Sequence, residues 1–422
     1  MLDAGADLYT GVVDRKPPVV PFLYAAVFRI FGPDTLWPVK TLALAAHLTT
    51  ATCLLLLARR RYGPAAGLAA ALLYLVASIG LSPPDAHAAN FEVFMLPASA
   101  AAVLLADRRR FASAGVAVAF AALTKQSGGA ALLPVLWTAW RDARRGGVVR
   151  VVLGFAAPFV LVAPLFGAGQ FLFWVVTGSS GYLSLDGSWL RALGRAASNL
   201  AFVVGAGLPV VWAAWRGRRL RRDADLWLWL AASVLAVSAG TRFFGHYFLQ
   251  LLPALTVLGA GGIARGALRW RTAAAYAVLS AVVFTWLALT WPQARLQHIR
   301  SVAQTVRAET RPGEHVLVWG MNPAFYFFAD RPPATRFLTA GFLTNFSGGR
   351  PERQVAEAFA VPGAWAQFTD DLTRTRPELV IDDSGPAPYR PARIPTFEKF
   401  LTDNYREVAR SGDTVIYRRT TP

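Results

Sequence analysis

The sequence predicts an α-helical polytopic membrane protein of about ten crossings, followed by a small extracytoplasmic α/β domain. Three observations carry this. The 422 residues are 55% hydrophobic and 16% charged, the apolar residues gather in long runs, and arginines cluster in every second loop between those runs. That composition excludes a water-soluble single globule. Glycine (35) and proline (27) are scattered without a Gly-X-Y period, which excludes collagen and low-complexity chains. The lone Cys53 permits no internal disulfide.

A helix needs roughly 20 residues to cross a hydrocarbon core. Runs of that order lie at 36–58, 63–81, 148–166, 193–215, 244–264 and 272–291, with shorter ones at 91–106, 111–123, 127–140 and 226–240. Residues 1–31 are expected to form an outer-face loop and a helix lying in the interface, because 17–31 is short and holds three prolines and Arg29. The chain opens on the polar Met1-Leu-Asp-Ala-Gly-Ala-Asp, which is not a signal-peptide pattern.

The basic clusters are Arg59–Arg61, Arg108–Arg110, Arg141 with Arg144, Arg145 and Arg150, Arg216 with Arg218, Arg219, Arg221 and Arg222, and Arg265 with Arg269 and Arg271. The positive-inside rule makes all of them cytoplasmic. The net charge of +18, with only four lysines among 43 basic residues, is therefore topological, and no nucleic-acid partner is expected. The same parity puts residues 1–16, 82–90, 167–188, 241–242 and everything after Trp291 outside. Arg- and Ala-rich usage suits a GC-rich bacterial genome, so the expected location is the bacterial plasma membrane with an extracytoplasmic active face.

The expected domains are 1–292 and 293–422. In the second, helical stretches (294–309, 352–374) alternate with short strands (315–319, 378–381, 414–417), a pattern for a partly parallel sheet. Val318-Trp319-Gly320 reads as a plain turn or a ligand turn, and Asp382-Asp383 as a turn cap or a sugar or metal site.

The residues able to do chemistry fall on the outer face. Asp14-Arg15-Lys16, stiffened by Pro17-Pro18, can hold an anion or anchor to lipid headgroups. Arg242, His246 and Tyr247 can donate to phosphate oxygens; an aromatic belt is the alternative. Glu92 opens an apolar run, either as a working carboxylate or as a dipole-favoured residue at a helix start. Asp85 and His87 make a poor metal pair. Lys125 can reach an anionic headgroup or snorkel, and the loop 178–186 has the composition of a lid. No Walker, GxSxG, HExxH or cysteine metal motif occurs.

Leu8-Tyr9…Asp14-Arg15-Lys16-Pro17-Pro18, Ala89-Asn90-Phe91-Glu92, Thr124-Lys125-Gln126, Arg242…His246-Tyr247…Leu252-Pro253, Val318-Trp319-Gly320 and Arg331-Pro332-Pro333 occur in that order. Together they resemble the polyprenyl-phosphate-dependent glycosyltransferases of the GT-C superfamily, which include protein O-mannosyltransferases, aminoarabinose transferases and related lipopolysaccharide sugar transferases. The resemblance implies inverting transfer of a sugar from a polyprenyl-phosphate donor to a hydroxyl of a cell-envelope acceptor. It implies donor-phosphate contacts from Lys16, Arg15, Arg242, His246, Tyr247 and Lys125, and acidic residues Asp14 and Glu92 near the reacting centre. A divalent metal is compatible with it, though the sequence holds no dedicated site. Members of the group start with a helix and an acidic first loop; this chain begins at a point corresponding to the middle of that loop, and position 11 is glycine where relatives often have Asp. Either the native chain starts upstream of Met1 and carries that acid there, or Asp3, Asp7 or Asp14 would have to substitute for it. The alternatives are a carrier or flippase for a lipid-linked or anionic solute, and a catalytically inactive membrane subunit.

Overall fold

The computed structural model describes residues 1–2, 5–33, 35–86, 88–178, 189–347 and 350–420. Asp3, His87 and the loop 179–186, all singled out above, lie outside the described residues. The chain divides into two compact units. One, the bundle unit, is Lys16–Ala168 with Leu190–Trp291; the other, the α/β unit, is Pro292–Pro422 with Met1–Arg15 and Gly169–Trp189. Two segments of the region read from sequence as 1–292 thus cluster with the C-terminal part.

The helices of the first two thirds of the chain are α1 (Val19–Phe31), α2 (Trp37–Tyr62), α3 (Pro64–Ile79), α4 (Pro83–Ala86), α5 (Phe91–Asp107), α6 (Phe111–Thr124), α7 (Leu132–Val162), α8 (Ala168–Val175), α9 (Trp189–Arg216), α10 (Ala224–Ser238), α11 (Leu252–Ala264) and α12 (Trp270–Thr290). Every apolar run read from the sequence is helical. The runs 127–140 and 148–166 form one continuous element broken at Arg144 (φ 50°, ψ −142°), inside the arginine cluster between them. Short 3-10 turns, Gln126–Ala131 and Gly245–Leu251, lead into α7 and α11. Pro64 and Pro253 sit in the first turns of α3 and α11, where a missing N–H costs nothing.

Small residues let these helices approach closely. A Cβ on Gly115 of α6 would fall 2.1 Å from the Val151 carbonyl of α7, and one on Gly154 would fall 2.1 Å from the Ala112 carbonyl. The bundle core, including Leu54, Leu57, Tyr74, Met95, Leu96, Val135, Trp229 and Val257, is closed to solvent. Outside it, large apolar side chains stand exposed, among them Leu161 and Leu289 at 72% and 75%. Five stretches among the described residues are long and apolar enough to cross a bilayer unaided: Trp37–Tyr62, Gln126–Phe166, Trp189–Arg216, Gly245–Ala264 and Trp270–Glu309. The chain is a multi-pass membrane protein.

The ends of α2 and α5, the break in α7, the start of α10 and the end of α11 meet at one end of the bundle. There Arg61 joins Asp107 and Asp225, Tyr62 donates to Asp223, and Arg141 pairs with Asp142. The start of α5 and the end of α6 lie at the opposite end, so the charge alternation read in the sequence is a real alternation of helix ends.

The α/β unit continues with α13 (Ala294–Glu309), β1 (Val316–Trp319), α14 (Ala324–Ala329), α15 (Gly341–Thr344), α16 (Ala364–Thr375), β2 (Leu379–Asp382), α17 (Pro395–Asn404), β3 (Tyr405–Ser411) and β4 (Thr414–Arg419). The sheet order is β1-β2-β4-β3, with β1 and β2 parallel and the other pairs antiparallel. Ile299, Val302 and Val306 of α13 pack on Val316, Val318, Leu379 and Ile381. The expected helix 352–374 is divided: 3-10 turns at 352–354 and 357–359, then α16 after Pro362-Gly363, where Gly363 takes φ 75°.

Candidate functional site

The site is built at the end of the bundle where α5 begins. Asn90 is extended (φ −73°, ψ 164°) and starts α5, which places Glu92 in the first turn, where the helix dipole favours a negative charge. Glu92 is only 1% exposed, so its charge needs a partner. Lys125 supplies it. The chain turns extended at Lys125 (φ −152°, ψ 136°), ending α6, and the ammonium forms an ion pair with the Glu92 carboxylate. The same Nζ lies 3.7 Å from the centre of the Tyr247 ring, within cation–π range.

His246 stands beside Tyr247, with ring centroids 4.9 Å apart and planes near perpendicular, and stacks on Phe244. Its Nδ1 is hydrogen-bonded to Asp85 of α4, whose other oxygen accepts the Ser82 hydroxyl at 2.6 Å. Burial pushes the Asp85 carboxyl up, but the bonds from His246 and Ser82 outweigh it and hold the group below its ordinary range. Gly245 makes this approach feasible: a Cβ there would lie 2.5 Å from Asp85 Oδ2, 2.8 Å from Asn199 Oδ1 and 2.9 Å from Ser82 Oγ. Asn199 in turn donates to the Phe243 carbonyl at 3.0 Å and fixes the turn.

Arg242 is buried at 3% in that turn, between Thr241 (φ 50°) and Phe243 (φ 47°). Left-handed backbone at two bulky non-glycine residues is strained, and such strain persists only where the surroundings over-determine it. Lys16 lies 5.9 Å from the Phe91 ring centre, next in sequence to Glu92. In the α/β unit, the Arg15 guanidinium is 5.2 Å from the Phe342 ring, and burial, then the Asp14 charge, push the Tyr9 phenol up.

Of the residues read from sequence, the bundle unit therefore brings together Glu92, Lys125, Tyr247 and His246, and sets Lys16 beside Phe91; Asp14 and Arg15 belong to the α/β unit. The sequence pattern sets Asp85 beside His87, and the structure pairs it with His246 instead. Asp85 and His246 carried a signal as polar groups at run boundaries, but their pairing spans 161 residues. Ser82 and Asn199 gave none.

Trp319, Asp382 and Asp383 are engaged by neighbours within the α/β unit. Trp319 is 1% exposed and stacks on Phe397 at 3.7 Å. Asp382 accepts the Ser384 N–H at 3.0 Å, and Asp383 pairs with Arg295 and accepts the Thr414 hydroxyl. Arg331 donates to the carbonyls of Thr310, Arg307 and Asp330, stapling α13 to the loop before β1 and to the end of α14. No group of three or more His, Cys, Asp or Glu converges among the described residues. What the bundle site offers is a cation fixed by a buried carboxylate, an aromatic wall, and an imidazole whose Nδ1 is engaged by a carboxylate.

No curated protein sequence matches the chain. The family model described as dolichyl-phosphate-mannose-protein mannosyltransferase matches residues 15–167, which include Lys16, Asp85, Glu92 and Lys125. Among solved structures, ArnT from Cupriavidus metallidurans in the apo state is similar at a TM-score of 0.63 and 17% identity, covering 99% of this chain and 90% of that one. ArnT from the same organism bound to undecaprenyl phosphate is similar at 0.57 and 17%, covering 96% and 87%. The chain has the ArnT-like fold and resembles the GT-C polyprenyl-phosphate-dependent glycosyltransferases, as its ordered motifs implied.

Proposed function

We propose that this protein is a membrane glycosyltransferase that moves a sugar from a polyprenyl-phosphate donor to a hydroxyl of a cell-envelope acceptor, a lipid, glycan or protein. The reaction is placed at the extracytoplasmic face of the bacterial plasma membrane. The observation that carries this reading is the Glu92–Lys125–Tyr247 cluster beside the Asp85–His246 pair, at the bundle end away from the arginine-rich network. The family match over residues 15–167 and the likeness to an ArnT bound to undecaprenyl phosphate support it.

In inverting transfer the acceptor oxygen attacks the anomeric carbon as the bond from that carbon to the phosphate oxygen breaks. The acceptor proton passes to a base, and the polyprenyl phosphate departs as an anion. Lys16 and Lys125 stabilise that anion, with Arg242 and Tyr247 contributing to its surroundings. Glu92, engaged with Lys125, positions that cation. His246 can take the proton through Nε2, the ring nitrogen left when Nδ1 bonds to Asp85.

The test uses the full chain in proteoliposomes with a labelled polyprenyl-phosphate sugar and envelope extract. Transfer should be measurable and fall at least about a hundredfold in Lys16→Ala. His246→Ala should lower kcat with the donor KM unchanged, as loss of the base requires. Wild-type transfer no greater than that of Lys16→Ala sinks the reading. Lipid movement across the vesicle without transfer would favour a carrier, and neither activity would favour a subunit role.

A further inference from the structure

We infer that the α/β unit holds a binding site for an uncharged saccharide, and that this saccharide belongs to the acceptor. The site is a cavity of about 370 Å³, in the size range of small-molecule pockets, built from four separate stretches of the chain. Its floor is aromatic: Tyr9, Trp174 and Phe337 form the buried base, and the half-buried Phe173 offers ring surface to the cavity. Its rim holds the carboxamides of Gln170 and Gln367, both exposed. Aromatic faces against the C–H faces of a pyranose, with amides that both donate and accept toward hydroxyls, form a chemical match to a sugar ring.

The cavity does not select for charge. Its one ionised lining residue, Arg336, arrives already paired: Nε and Nη2 donate to the two carboxylate oxygens of Asp371 at 2.9 Å each. Asp371 is 2% exposed, so the pair is fixed in the wall rather than offered to a ligand.

The pocket is also joined to the cation-bearing segment. The Val13 N–H donates to the Arg336 carbonyl at 3.1 Å, and the Tyr9 N–H donates to the Val12 carbonyl at 2.7 Å. Tyr9 holds φ 76°, a strained backbone for an aromatic residue. The tight turn that carries Tyr9 into the pocket thus leads straight into Asp14-Arg15, and a glycan seated there is registered against those residues.

Assignment of the saccharide to the acceptor rests on the transferase reading; the binding site does not. Full-length protein in nanodiscs is examined by saturation-transfer NMR with a neutral methyl hexopyranoside, beside a hexuronate and a hexosamine. Gln170→Ala/Gln367→Ala changes two exposed residues and leaves the aromatic floor intact. The expected result is saturation transfer to the neutral glycoside with wild type, weaker transfer to the charged sugars, and about tenfold weaker binding in the variant, the scale of two lost hydrogen bonds. No transfer with wild type, or the same transfer with the variant, overturns the site. In the transferase assay the variant should raise the acceptor KM about tenfold with the donor KM unchanged. A rise in donor KM instead overturns the acceptor assignment while leaving the site, and an inactive wild type that still binds the glycoside tells against the transferase reading alone.

Discussion

The Nδ1 of His246 and the Oδ1 of Asp85 are hydrogen-bonded, joining the turn before α11 to the turn before α5. Because Asp85 is held below the ordinary carboxylate range, its folded-state stabilisation is fully present above about pH 3.9, the unfolded value, and is lost only as the pH falls through its lower folded value. The pair is intact across the neutral range.

Asp85→Asn keeps the shape and removes the charge that orients the imidazole. Transfer should fall in kcat by as much as about ten-thousandfold, the scale for losing the carboxylate that orients a base histidine, with the donor KM unchanged. Asp85→Glu should recover part of the rate. Equal loss in kcat and gain in KM, with no recovery by glutamate, would reduce Asp85 to a fold-holding residue.

Gly245→Ala tests the close approach itself. The added methyl would lie 2.5 Å from Asp85 Oδ2 and has Asn199 and Ser82 on its other sides. Such overpacking costs about 1–3 kcal/mol. Activity should drop with Asp85→Asn, and the two changes together should do little more than either alone, because both break one contact. Full additivity in a double-mutant cycle would refute the shared cause.

The crossings were legible because their cause is local: apolar length and the placement of arginine decide them residue by residue. The order of the motifs pointed to the fold. The partnerships in the site were not legible, because they depend on which helix ends share an end of the bundle. Glu92 and Lys125 were read as separate anion and cation, and only the adjacency of α5 and α6 makes them one pair. Strand β3 carries no sequence signal for a different reason: Tyr405–Ser411 is a mostly exposed edge strand of polar residues, so it lacks the apolar alternation that marks a half-buried strand. The Trp319 region invited a ligand reading that burial removes.

Glu92 and Lys125 have side chains only 2% and 12% exposed. Lys125→Met leaves a buried carboxylate without its partner, a loss of about 3–5 kcal/mol. Lys125→Met/Glu92→Gln removes both charges and should be the more stable of the two variants, by detergent-solubilised thermal unfolding, while remaining inactive in transfer. If the double variant were no more stable than Lys125→Met, the pair would not be energetically coupled.

Asp382 gives a pH effect of the opposite sign to Asp85. Burial, outweighing its bonds to Ser384, raises its carboxyl above the ordinary value. The folded state therefore binds the proton more tightly than the unfolded one, and this residue's contribution to stability declines as the pH rises from the unfolded value through the raised folded one. Asp382→Asn mimics the protonated form and can still accept the Ser384 N–H. Hydrogen exchange in β2 of the full chain at pH 7 should be slower in the variant, and the difference should shrink towards pH 4. Faster exchange at pH 7 would show that the ionised carboxylate stabilises the strand.

At the other end of the bundle, Arg61 donates Nε to Asp107 at 2.9 Å and forks onto Asp225 with Nη1 and Nη2 at 3.0 and 2.5 Å. Asp225 is completely buried, so it depends on this guanidinium. Arg61→Met should cost about 3–5 kcal/mol, and Arg61→Lys should recover little, since one ammonium cannot reproduce a planar fork shared by two carboxylates. Arg61→Met/Asp225→Leu, which removes the buried charge as well, should regain most of the loss. Because the network lies away from Glu92 and His246, the double variant should keep its transfer rate in proteoliposomes once folded. Unfolding temperatures in detergent for the three variants, read against transfer per folded molecule, separate a clamp that holds the helix ends from one that acts in the chemistry. A folded double variant with lost transfer would refute the purely structural role given to Arg61.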